Sequence, residues 1–231
     1  MQSHASAALL SIMALAWAVD AQEAGPPVAD WPTQFLGEHG GSDDPMLELR
    51  RRRPVPDFRL TDQHGRTVTQ AVMQGKWTVL FFGYTHCPDY CPTTLAALRS
   101  ALHRLEHEDP QLADRIQVIF VSLDPFRDTP ALLNDYIAYF DPHFIAATGS
   151  PAELQRLSRL MGIHYDYIDT ATGASTGDIL HAPRGDYAVD HTGDFYVFDA
   201  HARLLEWMAP PHTARRITTT LKRILHQYGG W

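Results

Sequence analysis

Trp77-Thr-Val-Leu-Phe-Phe-Gly-Tyr84, followed directly by Thr85-His-Cys87-Pro-Asp-Tyr-Cys91-Pro-Thr-Thr94, is the stretch on which the fold turns. Its first eight residues are an apolar run rich in β-formers, as a strand buried on both faces requires. The remainder carries Gly, Pro and Asp and opens a helical period, with Leu95, Leu98, Leu102 and Leu105 recurring on one side. A second buried-strand run, Ile-Gln-Val-Ile-Phe-Val-Ser-Leu, occupies residues 116–123. Beyond it, Thr129-Pro130 opens another helix with proline at the first helical position. Ser150-Pro-Ala-Glu153 reads as a capping box whose helix Gly162 closes. Residues 187–190 and Phe195–Phe198 read as a final strand pair turning at Thr192-Gly193-Asp194, and 213–228 as a closing helix. Residues 169–185, rich in Gly, Thr and Asp, read as an excursion between elements. Strands alternating with helices make an α/β layered domain without internal repeats.

Outward from this domain, the sequence changes character. Residues 5–19 carry no charge and suit the apolar region of a secretory signal, with Ala16-Trp17-Ala18 as a small-x-small cleavage site. The run is short for a membrane span, which needs about 20 apolar residues, and the leading Met-Gln-Ser-His lacks a positive charge. Residues 1–21 are therefore expected to be a signal peptide or a marginal anchor, and the protein to be exported. Residues 22–53, which end in four consecutive arginines, read as a flexible linker. The folded domain is expected over residues 54–231.

Composition narrows the function. The chain has 231 residues, 45% hydrophobic and 20% charged, which suits one globular domain with a full core. With 19 Lys and Arg against 27 Asp and Glu, it lacks the basic surface that nucleic-acid binding needs. Two cysteines cannot build a disulfide scaffold. Both fall at one strand-to-helix junction, where unpaired backbone N–H groups and the positive end of the helix dipole favour a thiolate. Pro92 at the first helical position would leave Cys91 at or beside the N-cap. Two sulfurs so spaced can share one ion or form a disulfide, or pack as small hydrophobes.

Soft thiolates select Cu(I) or Zn, and an added imidazole suits zinc or either copper oxidation state. The third donor must come from elsewhere among 13 histidines. His191, where a strand ends and turns, and His86, beside Cys87, both remain open. His103 and His107 have glutamate at 106, so they do not form the zinc-protease pattern, and they lie off the leucine face. Asp124-Pro-Phe-Arg-Asp128-Thr-Pro130 ends a buried strand, where α/β sheets place functional loops, and equally suits capping of the next helix. Neither a nucleophile elbow nor a Gly-rich phosphate loop stands out, and no catalytic residue is assigned.

The chain resembles the Sco/SenC family of copper proteins. The resemblance is carried by PDFRLTDQHG (56–65), FFGYTHCPDYCPTTL (81–95), SLDPFRDTP (122–130), TGS (148–150) and YAVDHTGDFYVFD (187–199), in the family's order. It implies a thioredoxin-like fold, a central mixed β-sheet flanked by helices. It places the protein in the periplasm or at the outer face of the inner membrane. Its implied work is delivery of Cu(I) or Cu(II) to, or thiol maintenance of, the CuA centre of cytochrome c oxidase. Carried over by position, the copper ligands fall on Cys87, Cys91 and His191, and a redox disulfide on Cys87 and Cys91. The implied partners are the copper-centre subunit of the oxidase, or another copper protein, and thiol–disulfide reductases. The departure is at the amino terminus, where family members often carry a membrane anchor or a lipid-bearing cysteine. The rival reading is a thiol–disulfide oxidoreductase or redox sensor. Against it stand three residues rather than two between the cysteines, and Asp190-His191-Thr192 where the fold's facing proline loop should fall.

Overall fold

The computed structural model describes residues 52–181 and 183–228. The expected signal or anchor and all but the end of the linker lie outside the described residues. Among the described residues no helix is long and apolar enough to cross a membrane.

Strands β1 (Arg59–Asp62) and β2 (Thr67–Thr69) pair antiparallel at one edge of the main sheet. The two apolar runs become β3 (Trp77–Gly83) and β4 (Ile116–Ser122), parallel from Trp77 opposite Ile116 to Gly83 opposite Ser122. Every residue of β3 is buried, as its composition demands. β5 (Ile145–Thr148) extends the parallel set beside β4 and meets β1 antiparallel. β6 (Tyr165–Asp169) and β7 (Tyr187–His191) form a separate two-stranded ribbon. β8 (Phe195–Phe198) and β9 (Leu204–Met208) complete the main sheet beyond β3, giving the order β2-β1-β5-β4-β3-β8-β9.

Helices flank this mixed sheet, as expected. α1 (Tyr90–Glu108) connects β3 to β4 and buries Leu95, Leu98, Leu102 and Leu105, each side chain contributing about 1.5–3 kcal/mol of apolar burial. α2 (Pro130–Phe140) connects β4 to β5, and Thr129 Oγ1 caps it by accepting from the Leu132 amide. α3 (Pro151–Met161) starts at Ser150, whose Oγ accepts from the Glu153 amide, and ends at left-handed Gly162. Glu153 does not close the expected capping box. Its carboxylate instead accepts from the Arg59 amide at 2.8 Å and pairs with Arg156, tying α3 to β1. α4 (Ala214–Tyr228) is seated on α1 by Thr218, which donates to the Ala101 carbonyl, and by a Lys222–Glu108 ion pair.

Three expectations fail. β7 and β8 are consecutive but not paired: β7 lies antiparallel to β6, and β8 lies between β3 and β9. β8 is buried at all four positions and needs a place inside a sheet, whereas β7 buries only some of its residues and suits a ribbon. The strand pair is not the last either, since β9 follows. The first helix begins at Tyr90 with Asp89 as N-cap, so Pro92 is its third residue and Cys91 lies within the first turn.

The end of β3 leaves no room for a side chain. A Cβ on Gly83 would stand 2.7 Å from Phe120 Cε2 and 2.9 Å from Cys91 Sγ. Gly83→Ala is expected to destabilise the fold by about 1–3 kcal/mol through overpacking, read as a lower urea midpoint at unchanged slope. An unchanged midpoint would show that this junction is not tightly packed.

Candidate metal centre

The chain leaves β3 at Gly83 and turns through residues 84–88 into α1. The Cys87 amide donates to the Tyr84 carbonyl at 3.5 Å, and the Cys91 amide donates to Cys87 Sγ at 3.3 Å. First-turn amides have no intrahelical carbonyl to bond, so here they serve the Cys87 sulfur. Neither cysteine is in a disulfide; Cys87 is half-buried and Cys91 fully buried. Hydrogen bonding from the Cys91 thiol, aided by the amides of Cys91, Asp89 and Tyr90, draws the Cys87 pKa down to about 5. The same shared proton, together with burial, pushes Cys91 far above the ordinary thiol range. The pair is one thiolate and one thiol.

His191 ends β7 and brings its Nε2 to 3.8 Å from Cys91 Sγ. Its Nδ1 faces the Thr192 carbonyl at 3.0 Å. A carbonyl only accepts, so Nδ1 carries the proton and the Nε2 lone pair faces the sulfur, the tautomer a metal ligand requires. The rings of Tyr84 and Tyr90 stand edgewise to the imidazole, with centroids at 6.1 and 6.4 Å. Burial raises both phenols to about 12, so they form a neutral wall. The Cys87 and Cys91 sulfurs and a His191 ring nitrogen do not all lie within 4.8 Å of one another, so gathering them on one ion requires a side-chain movement.

The competing donor, His86, goes elsewhere. His86 is exposed, with Nδ1 3.0 Å from Thr85 Oγ1 and 3.6 Å from Asp128 Oδ1. His103 and His107 lie tilted against each other on the solvent face of α1, where the sequence placed them. The Asp124–Asp128 loop does more than cap. Asp128 accepts from the Thr85 amide, the Thr85 hydroxyl and the Ser122 hydroxyl, fixing the turn before Cys87. Asp124 accepts from the Tyr187 hydroxyl at 2.7 Å and from Arg127, whose guanidinium lies over the Tyr187 ring and donates to its carbonyl. That fixes the start of the strand ending in His191. Although His86, Asp124 and Asp128 are close enough to hold an ion, both carboxylates already have protein partners. Sequence reasoning saw this loop but not its partners, which lie 43 and 63 residues away.

Known proteins resemble the chain over this same region. The SCO1/SenC family model matches residues 48–226. The mitochondrial protein SCO2 homolog of Bos taurus is 33% identical over 195 residues, covering 84% of this chain and 68% of its own length. The structure of Bradyrhizobium japonicum ScoI with copper bound is 36% identical, with a TM-score of 0.60 over 74% of this chain and 99% of that one. The crystal structure of Arabidopsis thaliana ScoI with copper bound has a TM-score of 0.66 at 28% identity, over 76% of this chain and all of that one. The chain belongs to the SCO1/SenC family.

Proposed function

We propose that this protein binds copper through Cys87, Cys91 and His191 and carries it for assembly of the CuA centre of cytochrome c oxidase. The observation behind this reading is the approach of an imidazole lone pair to 3.8 Å from a buried sulfur whose neighbour is a thiolate. Two soft sulfurs and one nitrogen suit both copper oxidation states. A low coordination number leaves a side open to an acceptor's ligands, and copper is the cargo. The two copper-bound relatives support the choice of metal. Loading copper releases the Cys91 proton, so affinity falls in acid. The uncharged run at 5–19 supports export to the periplasm or the outer face of the inner membrane.

A second reading, thiol–disulfide exchange, has its own support. The thiolate belongs to the half-exposed Cys87 and the protonated thiol to the buried Cys91, the order of an attacking and a resolving cysteine. Forming the disulfide removes two electrons and the one remaining proton, passed to an oxidised thiol partner. It also removes both sulfur donors, so the copper and thiol chemistries exclude each other at any moment.

Two measurements follow. Under anaerobic titration, reduced protein should bind one copper, and Cys87→Ala or Cys91→Ala should abolish tight binding. His191→Ala should lose the Cu(II) sulfur-to-metal charge-transfer band while retaining weaker Cu(I) binding. Full Cu(II) absorbance in that variant, beside high disulfide-reductase turnover in the unaltered protein, would favour the enzyme. The second measurement is alkylation of Cys87 against pH in the metal-free protein. A thiolate depressed from 9.0 to about 5 stabilises the fold fully above the ordinary thiol pKa, and this contribution is lost as pH falls through about 5. The alkylation rate should therefore be flat near neutrality and fall through about 5, with Cys91 unreactive. A midpoint near 9 would remove the thiolate from the account.

A further inference from the structure

The loop that carries His191 from the ribbon into the main sheet is held at one atom. The Gly193 carbonyl accepts from the Tyr90 hydroxyl at 2.6 Å and from His212 Nε2 at 2.8 Å. These donors are far apart in sequence: Tyr90 opens α1, and His212 precedes α4. We propose that Tyr90 and His212 are positioning residues, a two-donor clamp on the Gly193 carbonyl that sets the orientation of the His191 imidazole.

Three observations carry the proposal. His191 Nδ1 is bonded to the Thr192 carbonyl, so the ring turns with the peptide plane that joins Thr192 to Gly193. On the ribbon side Thr192 is fixed, its amide donating to the His164 carbonyl at 2.9 Å and its Oγ1 accepting from the His164 amide at 3.1 Å. On the other side the joint is a glycine, the residue with the most backbone freedom, and the clamp is what holds it. Second, the glycine is needed for the clamp: a Cβ there would stand 2.5 Å from the Tyr90 hydroxyl. Third, the clamp residues are themselves held. The His212 ring stacks on Phe195 with centroids 4.0 Å apart, and Arg216 donates to the Ala209 and Pro211 carbonyls in the segment just before it. Tyr90 also lies against both the His191 and His212 rings. His212 Nδ1 is buried without a hydrogen bond, and burial lowers the ring's pKa, which keeps it neutral with its proton on Nε2.

The inference rests on His191 being the nitrogen donor to copper, and its test separates the two claims. The variants are Tyr90→Phe, which removes only a hydroxyl, His212→Leu, which removes the donor, and His212→Gln, which restores an N–H near the Nε2 position. Metal-free, reduced full-length protein is followed by amide hydrogen exchange over residues 191–195. Cu(II) and Cu(I), each alone, are titrated into the same samples. Net hydrogen-bond contributions of this kind correspond to about a two- to tenfold change in the ordered population. Exchange in this loop should accelerate about two- to tenfold in Tyr90→Phe and in His212→Leu, and more in the double variant. His212→Gln should stay near the unaltered rate. Cu(II) affinity should fall about tenfold or more, as for lost outer partners of a ligand, while Cu(I), held by two sulfurs, changes less. Unchanged exchange in the double variant would overturn the clamp. Accelerated exchange with unchanged Cu(II) affinity and spectrum would overturn its role in orienting His191. If the unaltered protein binds no copper, the copper reading falls and the exchange measurement decides the clamp alone.

Discussion

The sulfur of Cys91 has almost no freedom, and the architecture converges on it. It fills the space that the missing Cβ of Gly83 leaves at the end of β3, below the Phe120 ring. Its own amide feeds the Cys87 sulfur, and His191 meets it from the end of β7. A packed interior transmits strain rather than absorbing it, so the strand end, the helix start and the ribbon end must all be in register for that contact to exist. The hydrogen bond between the two sulfurs, and after it the burial of Cys91, decides the chemistry: the proton rests on Cys91 and the charge sits on the half-exposed Cys87. Metal binding or oxidation then begins from a half-exposed thiolate and ends by taking one proton from a buried thiol.

Much of this was legible in the sequence. The two largely apolar strands, the leucine face of α1, and the caps at Thr129, Ser150 and Gly162 follow from local rules, and the structure keeps them. The cysteine pair at a helix start was equally plain. The pairing of β7 was not, because adjacency and a Gly-containing turn favour a hairpin, while the burial of β8 on both faces demands a place inside the sheet. β1, β2, β5, β6 and β9 were missed for a simpler reason. Each has at most five residues and no long apolar run to announce it. His191 could be separated from His86 only by resemblance to a family, since the register that brings it to Cys91 spans a hundred residues.

The supports of the site were the least legible part. Asp124 and Asp128 look like turn residues, and locally they are. Their buried carboxylates also anchor Thr85 ahead of Cys87 and Tyr187 at the head of the His191 strand. Nothing in a sequence window reveals such partners. The result is a site whose two halves are each braced by one acidic loop at the end of β4.

The account's central claim is that two sulfurs and one imidazole nitrogen share a single copper. X-ray absorption at the copper edge, on protein loaded with one equivalent of Cu(II), tests it most directly. The account predicts an inner shell fitted by two sulfurs and an imidazole, with the imidazole scattering lost in His191→Ala. A shell of nitrogen and oxygen alone, or an imidazole signature that survives in His191→Ala, would contradict it.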